Sequence, residues 1–423
     1  MNIWLVTIGE PLPSDGMDVR LYRTGLLADI LANQGHSVIW WSSAYDHMKK
    51  ATRFKNDTTI FFGSNYKLKL LSATAYSQNV SIKRALNHVE IARVFSREAL
   101  IQKRPDIILV SLPTLELSLA AVKYGKLNKI PVVIDIRDLW PDIFTSIIPG
   151  FMRPFSQLLL LPFTMMMKTI CRDATAIIGI TPRIIEWGLH YAGREGTCWD
   201  RDFPLAYPDA PLEDGLIHAA EIFWDNLGIY DGDDNQFVTC FFGTLGRQFD
   251  IETVIEAAKI LEERNTDIRV VICGTGDNLE KYKHMAASCD SVIFPGWLGA
   301  AEIRILMQRA KSGMAPYLST FDFEMSIPNK IIEYLSAGLP VISSLCGTVA
   351  DLIRQNNCGL TYKQGNPEEL ANILEDLRAD PARQKVISDN ARTLYLAKFT
   401  TEKVYGDLSI HLGSIASHYN AGE

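Results

Sequence analysis

Three stretches in the second half of the chain carry residue types suited to holding a phosphorylated ligand. FFGTLGRQF sets Gly243, Thr244, Gly246 and Arg247 directly after an apolar run, and ICGTGD sets Gly274, Thr275, Gly276 and Asp277 after another. A small-residue turn between a strand and a helix offers backbone N–H groups and a positive dipole end to an anion. Arg247 adds a planar, permanently charged fork suited to a phosphate, at ~1.5–3 kcal/mol per charge-assisted hydrogen bond. The third stretch is SIPNKIIEYLSAGLPVISS, residues 326–344, in which Glu333 interrupts an otherwise apolar helix. Pro328 and Asn329 suit its start, Gly338 and Pro340 its stop. Such a Glu lies either on a solvated face or against a ligand, where a carboxylate is a natural acceptor for a ribose diol. Neither Gly turn is GxGxxG or a P-loop, and each alone also reads as an ordinary tight connection. Together with Glu333 they describe a site for phosphates and ribose hydroxyls.

The elements around these residues alternate. In the first half, NIWLVTIG, HSVIWWSS, DIILVSL, VVIDI and ATAIIGI read as strands, separated by the helical patterns VRLYRTGLLADILANQ and residues 115–126. Residues 208–235 are acidic and rich in turn formers, as a linker would be. The alternation then restarts with FVTCFFG, the helix DIETVIEAAKILEER, IRVVICG, SVIFPG, SGMAPY, LPVISS and CGLTY. The expected fold is α/β, with two doubly wound, Rossmann-like domains facing a cleft. The expected boundaries are 1–210, a linker at 211–235, a second domain at 236–398, and a terminal helix at 399–423 packing back across both. Ligands in such sheets bind at the carboxyl ends of the strands, and the cleft is the expected site.

Composition agrees with a globular protein of 423 residues, 47% hydrophobic and 22% charged. The net charge of −7 argues against general nucleic-acid binding. Residues 47–104 nonetheless hold twelve Lys and Arg against Asp57, Glu90 and Glu98, a local +9 that leaves −16 elsewhere. This run reads as a solvated helical face or as a patch for anionic lipid or an anionic acceptor. The seven Cys are scattered without C-x-x-C spacing, which points to small core residues in a reducing compartment. The N-terminus lacks a basic n-region and enters a strand directly, unlike a signal peptide. The most apolar segment, FSQLLLLPFTMMM at 155–167, is too short to span a bilayer. It reads as a buried helix or as an interfacial element with Arg153, Lys168 and Arg172 at the head groups. The expected location is cytoplasmic, peripheral on the inner membrane face.

Across nearly its whole length the chain resembles the retaining family 4 glycosyltransferases of the GT-B architecture. The resemblance rests on NQGHSVIWW, VVIDIRDLWPD, AIIGITP, FFGTLGRQFDIETVIEAAKIL, VICGTGD, APYLS and PNKIIEYLSAGLPVISS followed by CGL. DLWPD and IPNKIIEYL look most like the branch that extends lipid-linked polysaccharide or O-antigen glycans. The resemblance implies that Glu333 binds the donor ribose, that Arg247 contacts the donor pyrophosphate, and that Gly16 faces the transferred sugar. Lys330, one turn before Glu333, is placed to reach a phosphate. The implied donor set is Gly16, Gly243, Thr244, Gly246, Arg247, Gly274, Gly276, Glu324, Ser326, Asn329, Lys330, Ile331 and Glu333. Arg247, Lys330 and Asp138 are the expected catalytic groups.

Three positions depart from the family pattern. The first motif Glu falls at Met325, between Glu324 and Ser326; the family Lys after Arg247 is absent from RQFDIET; and DIRD replaces the first-domain His, with Arg137 or Asp138 nearby. The implied reaction moves a sugar, with retention, from a nucleoside diphosphate (expected UDP) to a lipid-linked or oligosaccharide acceptor. Catalysis then consists of stabilising the leaving diphosphate and placing the acceptor, without metal or cofactor. A UDP-sugar epimerase of this architecture and a non-catalytic nucleotide-sugar-binding partner are the alternatives. The Asp200/Asp202 and Asp231/Asp233 pairs suggest a metal-dependent single-domain transferase, which two α/β halves do not fit.

Overall fold

The computed structural model describes residues 1–16, 19–146, 148, 155–209, 211–232 and 236–421. Arg153 and Asp233 therefore lie outside the described residues. The chain divides into two compact units, Met1–Pro204 with Thr401–Glu423, and Leu205–Thr400.

The first unit is built on eight strands, in the order Arg201–Asp202, Ala176–Gly179, Val132–Ile136, Ile107–Leu112, Asn2–Val6, Ser37–Ser43, Tyr66–Leu71 and Thr58–Phe61. All pairings are parallel except the last, a hairpin. Near-continuous apolar runs make the central strands because both sheet faces are covered by helices. Trp4 and Trp41 meet edge to face at 5.0 Å, and Trp4 stacks on Tyr124 at 5.2 Å, filling one face with aromatic volume. The terminal helix Thr401–Ala421 packs on this unit: Tyr405 lies under the Arg23 guanidinium at 5.7 Å, and His411 bonds the Trp199 carbonyl at 2.9 Å.

The second unit has six parallel strands, in the order Val292–Gly296, Ile268–Cys273, Phe237–Phe242, Ser312–Ala315, Val341–Ser343 and Gly359–Thr361. Its core includes Phe241, Ile272, Ile331, Tyr334 and Leu335.

The structure differs from the sequence reading in three segments. The expected linker carries the helix Asp214–Asn226, because Ile217, Ala220 and Trp224 recur at helical spacing; Trp224 is buried and donates to the Glu302 carbonyl at 2.8 Å. The basic run is not one helical face. Residues 58–71 form the hairpin, where YKLKLL alternates as a strand, and only Ile82–Ala99 is helical. Many of its charges are also paired, Arg53 with Asp15 and Asp46, Lys69 with Glu98, and Arg97 with Asp57. The segment FSQLLLLPFTMMM, after its first residue Phe155, lies in the helix Ser156–Asp173, which is split between faces. Met167, Ile170 and Cys171 are buried, whereas Leu158, Leu159, Leu161 and Met165 are exposed. No described helix is long and apolar enough to cross a membrane. Five of the seven Cys are buried; Cys198 and Cys346 are exposed.

Candidate functional site

In the second unit the strand order reverses at Phe237–Phe242, whose neighbours are Ile268–Cys273 and Ser312–Ala315. Open α/β sheets bind ligands outside the carboxyl ends of the strands at such a reversal. Both Gly turns leave from this point, and they lie backbone on backbone. The Gly243 N–H donates to the Cys273 carbonyl at 3.0 Å, and the Leu245 N–H to the Thr275 carbonyl at 2.9 Å. A Cβ on Gly274 would stand 1.9 Å from the Gly243 oxygen, and one on Gly276 2.6 Å from the Leu245 oxygen, with φ of +132° and +159°. Glycine is required at both positions by this close approach. The amides of Thr244, Arg247, Thr275 and Gly276 bond to no other backbone group among the described residues, so they can receive an anion.

The expected helix dipole is not available at the first turn. The helix begins at Ile251, and Asp250 caps it, accepting from the Thr253 amide at 3.2 Å and the Thr253 hydroxyl at 2.7 Å. The sequence QFDIET thus supplies its own anion to the helix end. Arg247 precedes it and is exposed.

Helix Asn329–Ser336 brings Lys330 and Glu333 to the same region, one turn apart, each with only 7% of its surface exposed. Lys330 Nζ lies 4.5 Å from the Phe241 ring centre and 4.8 Å from that of Phe242, and 2.8 Å from where a Gly243 Cβ would stand. The three rings Phe241, Phe242 and Phe249 surround the ammonium with aromatic faces. Burial, and then the nearby Glu333 carboxylate, raise the pKa of the Tyr317 phenol well above its ordinary value, so it stays protonated. Ile331 is a core residue, fully buried, so its side chain is not at a ligand surface. Glu324 lies in the short helix Phe321–Met325 and accepts from the Ser319 hydroxyl at 2.7 Å. Ser326 ends that helix, and Asn329 is exposed.

Gly16 and Asp138 belong to the first unit. Gly16 is exposed, with φ +153°, after a turn in which Asp15 accepts from the Leu12 amide at 2.9 Å and pairs with Arg53. Asp138 is exposed on the rim of a cavity of about 370 Å³ at the carboxyl ends of this unit's strands, beside Arg137. Arg137 is held in a buried ion network. Its Nε bonds Asp135 at 2.8 Å, its Nη2 bonds the Thr24 hydroxyl at 2.9 Å, and its Nη1 bonds Glu10. Asp135 also receives Arg23, at 2.9 Å. Burial alone would raise the Asp135 carboxyl, but Arg23 and Arg137 together hold it below the usual range.

Sequence reasoning missed most of the groups in this cavity wall, including His47, Arg84, His88, Thr114 and Trp140. Arg84 was visible only as one charge in a basic run. The signal present was Ser81, an N-cap type, followed by Lys83 and Arg84 in a helix's first turn. Glu10 and Arg23 gave no local signal, since Arg23 meets Asp135 across 112 residues. Asp200 is occupied by Arg194 at 2.7 Å and by the Ile177 amide at 2.8 Å, so it serves the first unit's structure.

The family described as "Glycosyl transferases group 1" matches residues 224–394. The amylovoran biosynthesis glycosyltransferase AmsK of Erwinia amylovora is 29% identical over 166 residues, 38% of this chain and 41% of AmsK. WcaL of Escherichia coli strain K12, described as a putative colanic acid biosynthesis glycosyltransferase, is 24% identical over 128 residues, 29% of this chain and 32% of WcaL. The matches with these two relatives thus span only 41% and 32% of their lengths. Among solved structures, HepE of Anabaena in complex with UDP and glucose superimposes with a TM-score of 0.66 at 16% identity, covering 98% of this chain and 100% of HepE. That likeness shows the fold, the paired Rossmann-like units of GT-B glycosyltransferases.

Proposed function

With residues 224–394 in the group 1 glycosyl transferase family, we propose that this chain is a retaining glycosyltransferase. It moves a sugar from a nucleoside-diphosphate donor, UDP-linked by preference, to a lipid-linked or oligosaccharide acceptor in cell-surface polysaccharide synthesis. The observation that carries the reading is the pairing of buried Glu333 and Lys330 one helical turn apart, with Lys330 Nζ beside Gly243. In this reading Glu333 accepts the ribose hydroxyls, while Lys330, Arg247 and the open turn amides hold the diphosphate. The bond from the anomeric carbon to the diphosphate breaks, the electron pair leaves with the nucleotide, and the acceptor oxygen bonds that carbon. The acceptor proton leaves with the departing phosphate. Cations and N–H groups fixed in place stabilise the charge that develops there. UDP in the HepE structure and amylovoran biosynthesis in the description of AmsK support the donor and the pathway class.

The test is a thermal-shift panel with UDP, GDP, ADP and CDP on the wild type and Glu333→Gln. Nucleotide at about 100 Kd should stabilise the wild type by ~2.7 kcal/mol, and the variant should lose that stabilisation. If no nucleotide stabilises the wild type, the donor assignment fails. Incubation with the nucleotide sugar alone separates the alternatives. An epimerase would convert the donor without any acceptor; a binding partner would leave it unchanged even with acceptor present.

The membrane reading rests on Leu158, Leu159, Leu161 and Met165, exposed on one helix that also carries Lys168 and Arg172. Flotation with vesicles containing anionic lipid should carry the protein upward, and Leu158→Glu with Leu159→Glu should abolish this. Protein that stays at the bottom of the gradient with every vesicle composition excludes it.

A further inference from the structure

We propose that the first unit's cavity takes an acceptor sugar bearing an anionic group, carboxylate or phosphate, which Arg84 holds. The inference rests on the transferase reading above, because it assigns this cavity to the acceptor. The wall has unmet donors. Arg84 Nη1 is bonded to the Asn79 carbonyl at 2.6 Å, but its buried Nε has no partner, and the hydroxyl of Thr114, a residue 4% exposed, has none either. Buried donors left unpaired cost about 1–3 kcal/mol each, which a ligand oxygen would relieve. The wall is also a platform for a sugar ring, since the Arg84 guanidinium lies 5.3 Å from the centre of the Trp140 ring and 6.0 Å from that of Tyr76.

Around Arg84 the wall is locally positive. The helix Ile82–Ala99 has no acidic residue in its first turn, where Lys83 and Arg84 stand instead, so the positive dipole end is reinforced rather than offset. Behind the lining residue His47, Lys50 Nζ lies 3.3 Å from its Nδ1 and donates to the Asn79 Oδ1. Burial first, and then the Lys50 and Arg84 cations, hold the His47 imidazole down at about 4, so it is neutral near pH 7. Of the two carboxylates in the lining, Glu10 is taken by Thr24 and Arg137, and Asp138 is exposed at the rim. Arg137 is thus paired with Glu10 and Asp135, whereas Arg84 has no carboxylate partner among the described residues.

The experiment titrates the full chain by NMR with methyl glucuronoside, glucose 6-phosphate and methyl glucoside, and with UDP on the same samples. At least one anionic sugar should bind tenfold or more tightly than methyl glucoside, and which one does so names the anion. Arg84→Gln should remove that preference, and Thr114→Val should weaken it several-fold, with UDP affinity unchanged in both. Equal binding of the three sugars, or a preference that survives in Arg84→Gln, overturns the inference while UDP binding upholds the donor site. Absent binding of UDP, GDP, ADP and CDP alike overturns the transferase reading instead, whatever the sugars do.

Discussion

The two units solve the same problem by different means. In the second, the groups proposed to meet the donor lie in two adjacent turns and one helix, and backbone contact sets their geometry. Gly274 and Gly276 let one turn rest on the other at distances that any side chain would prevent. In the first, the cavity floor is set by side-chain charge. Arg23, Glu10 and the pair Asp135 and Arg137 come from three separate segments of the chain and are fixed by ion pairs in a nearly dry interior. A site set by backbone shape tolerates little change at its glycines, whereas a site set by buried charges fails when one partner is neutralised.

Two substitutions put that contrast to the test. The larger effect is expected from Asp135→Asn, which leaves Arg23 and Arg137 buried with one carboxylate fewer. Removing one partner of a buried pair costs about 3–5 kcal/mol. Denaturant unfolding should show the loss in the first unit, with nucleotide binding in the second preserved. The wild type should reproduce part of this loss in acid. The folded carboxyl of Asp135 lies below its ordinary 3.8, so its contribution is present above that pH and disappears as pH falls further, through the folded value. A wild type and variant that lose stability in parallel below pH 4 would sink the assignment.

The smaller effect is expected from Gly274→Ala, at about 1–3 kcal/mol for a residue forced into a sparsely allowed conformation. The clash with the Gly243 carbonyl should separate the turns, and nucleotide stabilisation should fall more than global stability does. If Gly274→Ala binds UDP as the wild type does, the backbone contact is not what shapes the donor turn.

The sequence was legible where the relevant groups are near neighbours in the chain or where the pattern is periodic. Apolar strand runs and the caps around Glu333 located the second unit's sheet and its helix. FFGTLGR and CGTGD marked the turns, although the reason for their glycines is mutual packing as much as ligand approach. The expected anion-binding helix end was wrong in detail, because the adjacent Asp250 already occupies it. The acidic stretch 208–235, which opens the second unit, read as linker because its turn residues masked the spacing of Ile217, Ala220 and Trp224.

By itself the sequence determined two alternating α/β units, the turn glycines, and the carboxylate and lysine on one short helix. These follow from local periodicity and steric rules that act within a few residues. Only the tertiary structure decided which charges are neutralised and which face a cavity. Arg53 finds Asp15 and Asp46, Arg137 finds Glu10 across 127 residues, and Arg84 keeps an unpartnered Nε. Charge pairing depends on distance in space and on the loss of water around each group, and neither quantity is written along the chain.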